Sequence, residues 1–129
     1  MMKKMIPVLL ALTLLVGCGT TSNETISYRQ ISMEDAVTMM SEEENYIILD
    51  VRTAEEYAGG HIPEAINIPN ESIGSEKIPE LPDKDQLILV YCRSGNRSKQ
   101  ASEKLASLGY TNIVEFGGIN DWPGETVSD

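Results

Sequence analysis

The residues of this chain best suited to chemistry lie together between positions 91 and 98. Cys92 is followed at once by Arg93 and, four residues later, by Arg97. A thiolate is a strong nucleophile, and nearby positive charge lowers the pKa of a thiol from its usual value of about 8.5. The remaining positions are small or polar, as a tight anion-binding turn requires: Ser94, Gly95, Asn96 and Ser98. This segment, the Cys92 loop (residues 92–98), predicts a reactive cysteine.

Two regular elements hold the loop. The apolar run 86–91 predicts a buried strand, and residues 98–108 place Ala101, Leu105 and Leu108 on one face of a helix. Cys92 therefore lies at a strand-to-helix turn. The free backbone N–H groups of such a turn and of the first helical turn converge on a concavity that favours an anion.

Strands and helices alternate along the rest of the chain. Further strands are predicted at 26–31, 46–51, 65–68 and 112–116, and helices begin after the capping residues Ser32 and Thr53. Gly109 is placed to end the helix that follows Cys92. This order predicts an α/β fold with a mainly parallel central sheet and helices on both faces. Ligands bind such sheets beyond the carboxyl ends of the strands, which is where Cys92 falls.

Several blocks of the chain, taken in order, resemble the rhodanese-like sulfurtransferase family over about residues 28–124. They are Leu49-Asp50-Val51-Arg52, Glu56-Tyr57, Gly60-His61-Ile62-Pro63, Ala65-Ile66-Asn67-Ile68-Pro69, Val90 to Ser98, Gly117-Gly118-Ile119 and Trp122. The resemblance implies an enzyme that moves a sulfane sulfur from a small anionic donor such as thiosulfate, through a persulfide on Cys92, to a thiol or to cyanide. Residues 93–98 would bind the donor and persulfide. No cofactor is implied.

The resemblance leaves finer roles open. Arg93 is the candidate for guiding the anionic donor, and Arg97 for holding either the loop or the donor. Asp50 and Arg52 are expected to support the site from behind, Arg52 through Glu55 or Glu56 and Asp50 through a loop N–H or Arg97. His61 is expected to cap a turn. Glu64 stands where the family commonly has glycine.

Two other functions remain open. Cysteine phosphatases also place a cysteine in an arginine-bearing anion loop, but five residues separate the two in that loop, whereas here only residues 93–96 lie between Cys92 and Arg97. A non-catalytic rhodanese-fold module that binds a partner or senses redox state is the second alternative. Cys92 and the single histidine, His61, do not have the spacing of a metal site.

The first residues predict export. Lys3 and Lys4 precede a short apolar stretch, and Leu15-Val16-Gly17-Cys18 resembles the bacterial lipoprotein signal box. We expect a lipoprotein signal peptide at 1–17, lipidation of Cys18, a polar tether at 18–25, the domain at 26–125 and a tail at 126–129. The domain would be anchored to the outer face of a bacterial membrane, on the periplasmic side if there are two. An uncleaved anchor and an ordinary cleaved signal are the alternatives.

The net charge and the cysteine content exclude some kinds of partner and of cross-link. The formal net charge of −10 argues against nucleic-acid binding, because neutralisation of phosphates by Lys and Arg supplies most of that affinity. The two cysteines, Cys18 and Cys92, have different settings, and a chain of 129 residues can form a core without a disulfide. We expect a monomeric single domain with no disulfide.

Overall fold

The computed structural model describes residues 27–128, which form a five-stranded, all-parallel sheet flanked by helices. The strand order is β1-β5-β4-β2-β3. The strands are β1 (Arg29–Gln30), β2 (Tyr46–Asp50), β3 (Ile66–Asn67), β4 (Leu87–Cys92) and β5 (Ile113–Gly118). The helices are α1 (Met33–Glu42), α2 (Ala54–Ala58) and α3 (Asn96–Ser107), with 3-10 turns at Asn70–Ser72 and Ile119–Asp121. The predicted α/β fold is confirmed.

The central strands β2, β4 and β5 are mostly buried on both faces, which explains why they are largely apolar. Side chains alternate between the faces. Ile88, Val90 and Cys92 of β4 pack on the side of α3, in a cluster with Ala101 and Leu105. The alternate β4 residues Leu89 and Tyr91 belong to a second cluster that includes Ala36 of α1. Cys92 thus points to the α3 face of the sheet.

Local capping signals start the helices where the sequence predicts. The Ser32 hydroxyl accepts the Asp35 N–H at 3.0 Å, and Thr53 and Glu56 form a reciprocal capping box. Helix α3 begins at Asn96, two residues earlier than expected, so Arg97 lies in its first turn. Gly109 follows the end of α3 with φ +100°, a conformation that favours glycine.

The sheet departs from prediction at three places. The first strand is only Arg29–Gln30, and β5 continues beyond Phe116 to Gly118. Val127, expected in a tail beyond the domain, pairs with His61 through two backbone hydrogen bonds of 2.8 and 2.9 Å. The chain therefore stays attached to the domain as far as Val127.

The predicted signal peptide, Cys18 and the tether at 18–25 lie outside the described residues. Within residues 27–128, no helix combines the length and apolar character needed to span a membrane.

Candidate functional site

Cys92 closes β4 at the carboxyl edge of the sheet and is almost fully buried. The chain then turns sharply through residues 93–95 into α3. Gly95 makes the turn possible because its φ is +115°, a value that side chains rarely tolerate. Its N–H donates to Cys92 Sγ at 3.0 Å. The backbone thus directs a hydrogen bond at the sulfur, as the strand-to-helix turn predicts.

The loop lowers the pKa of the Cys92 thiol. Burial acts against this and raises the pKa, but the Ser98 hydroxyl and the backbone N–H groups of Ser98, Gly95 and Ser94 together outweigh it. The pKa of Arg97 is raised by its hydrogen bond to Glu56 and also by the charge of Cys92, so Arg97 favours the thiolate in turn. Hydrogen bonds from the turn stabilise the thiolate, and the charge of Arg97 adds to them.

The Arg97 side chain forms an ion pair with a carboxylate. Its guanidinium donates to both carboxylate oxygens of Glu56, at 2.7 and 3.1 Å. That bond lowers the pKa of Glu56 to about 2; partial burial opposes the shift, and the Thr53 N–H and hydroxyl add to it. Glu56 also caps α2, so Arg97 ties the Cys92 loop to the start of that helix.

The Arg93 side chain, unlike that of Arg97, forms no ion pair with a described residue. Its side chain is exposed and makes no hydrogen bond or ion pair with any residue in the range 27–128. Ser94 and Asn96 are exposed beside it. The rim of the loop therefore offers one uncommitted positive charge next to the buried sulfur.

The expected partners of Asp50 and Arg52 are wrong. The two bind each other: Arg52 donates from Nε and from its terminal nitrogen to the Asp50 carboxylate at 2.7 to 3.0 Å. Tyr91 donates its hydroxyl to the same carboxylate at 2.7 Å, and Arg52 also donates to the Gly60 carbonyl. This buried network fixes β4 immediately before Cys92, but on the side of the sheet away from the thiol.

His61 lies in the turn where it was expected. Its ring stacks on Tyr57 with centroids 3.7 Å apart, and its Nδ1 is 2.9 Å from the Tyr57 carbonyl oxygen. Glu64, in the same turn, has φ +75°, the only positive φ among the non-glycine residues at 27–128. Glycine would relieve that conformation, so the departure at Glu64 affects the turn and not the thiol.

Two residues that shape the site were missed as such in the sequence. Gly118 lies opposite Cys92, because β5 carries an extra residue between its pairings with Val90 and Cys92. A Cβ on Gly118 would lie 2.0 Å from the Arg93 carbonyl oxygen. Glu115, the residue opposite Val90, is buried beneath the loop and bonds to Ser98 Oγ. A carboxylate in an otherwise apolar strand was the available signal.

The fold agrees with comparisons to known proteins. The model of the rhodanese-like domain family matches residues 32–125. Thiosulfate sulfurtransferase PspE of Escherichia coli is 40% identical over 73 residues, which are 57% of this chain and 70% of PspE. Thiosulfate:glutathione sulfurtransferase of Saccharomyces cerevisiae is 32% identical over 120 residues, covering 82% of this chain and 86% of that protein.

Solved structures give the same result. The structure described as a rhodanese with anions from E. coli superposes with a TM-score of 0.59 at 38% identity, covering 65% of this chain and 99% of the other. Some further relatives are longer proteins, of which this chain spans 27%. The family model matches most of this chain, and a cysteine ends the parallel strand before the strand-to-helix turn. The chain therefore belongs to the rhodanese-like family and is a rhodanese-type sulfurtransferase.

Proposed function

We propose that this enzyme carries a sulfane sulfur as a persulfide on Cys92, taking it from a small anionic donor such as thiosulfate and passing it to a thiol. The observation that carries the proposal is the 3.0 Å hydrogen bond from the Gly95 N–H to a sulfur whose thiol pKa the loop lowers. The names of two relatives support the choice of thiosulfate as donor, and one of them supports glutathione as acceptor.

The first step makes the persulfide. The Cys92 thiolate attacks the outer sulfur of thiosulfate, a new S–S bond forms, and sulfite leaves with the electron pair of the broken S–S bond. The negative charge then resides on the outer sulfur of the persulfide. We expect backbone N–H groups of the loop to stabilise it there, as donors in an oxyanion hole stabilise oxygen.

The second step returns the enzyme to its starting state. An acceptor thiolate attacks the outer persulfide sulfur and releases the Cys92 thiolate as the leaving group. The lowered pKa of Cys92 favours this departure, because a more stable thiolate leaves faster. One cysteine therefore suffices for both halves of the reaction.

The two arginines divide the remaining work. Arg97 is held by Glu56 and keeps the loop in shape, whereas the exposed Arg93 is the one that meets an anionic donor. A phosphatase reaction is disfavoured by the same contacts. Only four residues separate Cys92 from Arg97, and the Arg97 guanidinium that would have to clasp a phosphate is already bound to a carboxylate.

The test is to incubate the full chain, in detergent, with thiosulfate, remove the excess and measure the mass of the peptide that contains Cys92. A gain of one sulfur atom, reversed by cyanide or glutathione, supports the proposal. Cys92→Ser serves as the matched control and must stay unmodified while retaining its circular dichroism. An unmodified wild-type mass at saturating thiosulfate and polysulfide would leave the binding-module alternative as the better one.

We also propose that the enzyme works at a membrane. The basic start, the short apolar stretch and the Leu15-Val16-Gly17-Cys18 box support lipidation of Cys18. More than one acyl chain would hold the domain stably at the outer face of the membrane. The thiol acceptor would then be met outside the cytoplasm.

A further inference from the structure

Glu115 is a buried carboxylate that the sulfur-transfer mechanism does not use. It lies in β5 between the apolar residues Val114 and Phe116 and is 2% exposed. Its Oε2 accepts the Gly117 N–H at 2.9 Å and is 2.5 Å from Ser98 Oγ. Its Oε1 is 3.4 Å from the Gln30 side-chain nitrogen. A carboxylate out of water needs compensation, and these partners are all neutral.

Within the described part of the chain, no basic side chain pairs with this carboxylate. None of the lysines and arginines at positions 27–128 contacts Glu115. Arg97 of α3 is turned to Glu56, and Arg29 of β1 donates to Asn112. Two titratable groups lie near Glu115: Cys92 at the end of β4 and Tyr28 before β1. Tyr28 also interacts with Glu103 of α3. Burial raises the pKa of Tyr28, and the charges of Glu115 and Glu103 raise it further, so Tyr28 stays neutral.

Ser98 connects Glu115 to the reactive sulfur. Its hydroxyl oxygen is 3.5 Å from Cys92 Sγ as well as 2.5 Å from Glu115 Oε2. A hydroxyl has one proton to donate and lone pairs that accept. If Glu115 is ionised, Ser98 donates to it and can only accept from the thiol S–H. If Glu115 carries a proton, it donates to Ser98, whose own proton can then go to the thiolate, in competition with the Gly95 carbonyl oxygen 3.0 Å away.

We propose that Cys92 and Glu115 share a single proton through the Ser98 hydroxyl. In the transfer, the Cys92 S–H proton passes to Ser98 Oγ as the Ser98 proton passes to Glu115 Oε2. A thiol beside a carboxylate becomes a thiolate beside a carboxylic acid, and no proton, electron or atom is gained or lost. The proposal rests on Cys92 being the nucleophile of the proposed function.

The advantage of sharing is electrostatic. Two buried anions joined by one hydroxyl repel each other, and like charges in one site cannot both ionise easily. With one shared proton the site holds a single negative charge, which moves to the sulfur when the thiolate is needed. Because it exchanges its proton with Cys92 only through Ser98 and does not touch the substrate, Glu115 is a positioning residue rather than a catalytic one.

The first test follows alkylation of Cys92 by iodoacetamide as a function of pH. The rate is measured on the peptide that contains Cys92, in the full chain kept in detergent. A shared proton makes the two groups titrate as a pair, so the wild-type profile should rise in two steps. Glu115→Gln cannot take the proton and should give one step, about one pH unit below the upper step of the wild type.

Two further variants identify the route. Ser98→Ala removes the hydroxyl, so the profile should collapse to one step, and Glu115→Gln should then shift that step clearly less than it does when Ser98 is present, because only the direct charge effect remains. An equal shift in the Ser98→Ala background would show that Glu115 acts only as a nearby charge, and a one-step wild-type profile would overturn the proposal. Glu103→Gln removes an exposed carboxylate from α3 and should leave the two-step profile intact.

An infrared difference measurement needs only the wild-type chain, so it applies even if the variants fold poorly. Alkylation at the pH between the two steps replaces the thiolate by a neutral thioether, and Glu115 then no longer needs its proton. A protonated-carboxyl band should disappear as a carboxylate band appears; no change at that pH would contradict the proposal. Neither test requires sulfur transfer, so failure of the proposed function would be seen separately in the mass measurement with thiosulfate.

Discussion

Replacing Gly118 by alanine would place a methyl carbon inside the backbone of the Cys92 loop. The added Cβ would lie 2.0 Å from the Arg93 carbonyl oxygen, 2.4 Å from the Arg93 carbonyl carbon and 2.6 Å from the Ser94 nitrogen. All three are backbone atoms, so no rotamer change can relieve the clash. The loop must move away from β5, or the end of β5 must move away from the loop.

The size of the effect follows from these distances. Ordinary contacts of a Cβ begin at 3.4 Å, so the loop must retreat by more than about 1 Å. A misplacement of about 1 Å can reduce a rate by about 100-fold, and here it would lengthen the hydrogen bond from Gly95 to Cys92. Overpacking also costs about 1–3 kcal/mol of stability, which lowers the Tm of a domain of this size by roughly 4–8 °C per kcal/mol.

The assay compares kcat/KM for transfer from thiosulfate to cyanide with the Tm of each variant. Gly74→Ala is the matched control, because Gly74 is exposed and a Cβ there would meet nothing within 4 Å. Gly117→Ala separates strain from clash: its φ is +99° but its surroundings are open, so it should lose stability with a smaller loss of rate. If Gly118→Ala kept the wild-type kcat/KM and Tm, the close approach of Gly118 would not be what holds the loop.

Three further predictions concern individual residues. Glu64→Gly should raise the free energy of unfolding by about 0.5–1 kcal/mol in urea, because it removes a side chain at φ +75°; a loss would contradict this. The depressed pKa of Glu56, about 2, contributes stability that is present above its usual value near 4.5 and is lost as the pH falls towards 2. Glu56→Gln should therefore reduce the stability difference between pH 7 and pH 3, and an unchanged difference would count against the Arg97 pair. Cys18→Ala should abolish lipidation and membrane fractionation, whereas an unlipidated wild type would refute the anchor.

The parts of the fold that local sequence determines were predictable. Apolar runs gave β2 and β4, because a parallel sheet covered on both faces requires strands that are apolar throughout. The caps at Ser32 and Thr53 are also local, since each bond spans three residues. The Cys92 turn belongs to this group, because the thiol, Gly95 and the helix start are adjacent in the chain.

Ion-pair partners were predicted less well. Arg97 and Glu56 are 41 positions apart, and nothing in the local sequence selects that carboxylate over its neighbours. The Asp50–Arg52 pair, by contrast, carried a usable signal. Residues two apart in extended chain point to the same side, so these opposite charges at the end of β2 were placed to meet. The wrong partners were predicted because Asp50 and Arg52 were each paired with residues of other segments, without first asking which side chains share a face of the extended chain.

Glu115 shows why strand order limits what the sequence can tell. Alternation along β5 places Glu115 on the same face as Ile113, but a charged residue on one face is ordinary in an edge strand. The chain runs β4, α3, β5, and only the pairing of β5 with both β1 and β4 makes that strand internal and both of its faces covered. Once β5 is internal, its α3-facing carboxylate must lie under α3, beside Val90 and below the first turn that carries Ser98. The position of this acid beneath the reactive thiol is therefore a consequence of topology, which no window of sequence contains.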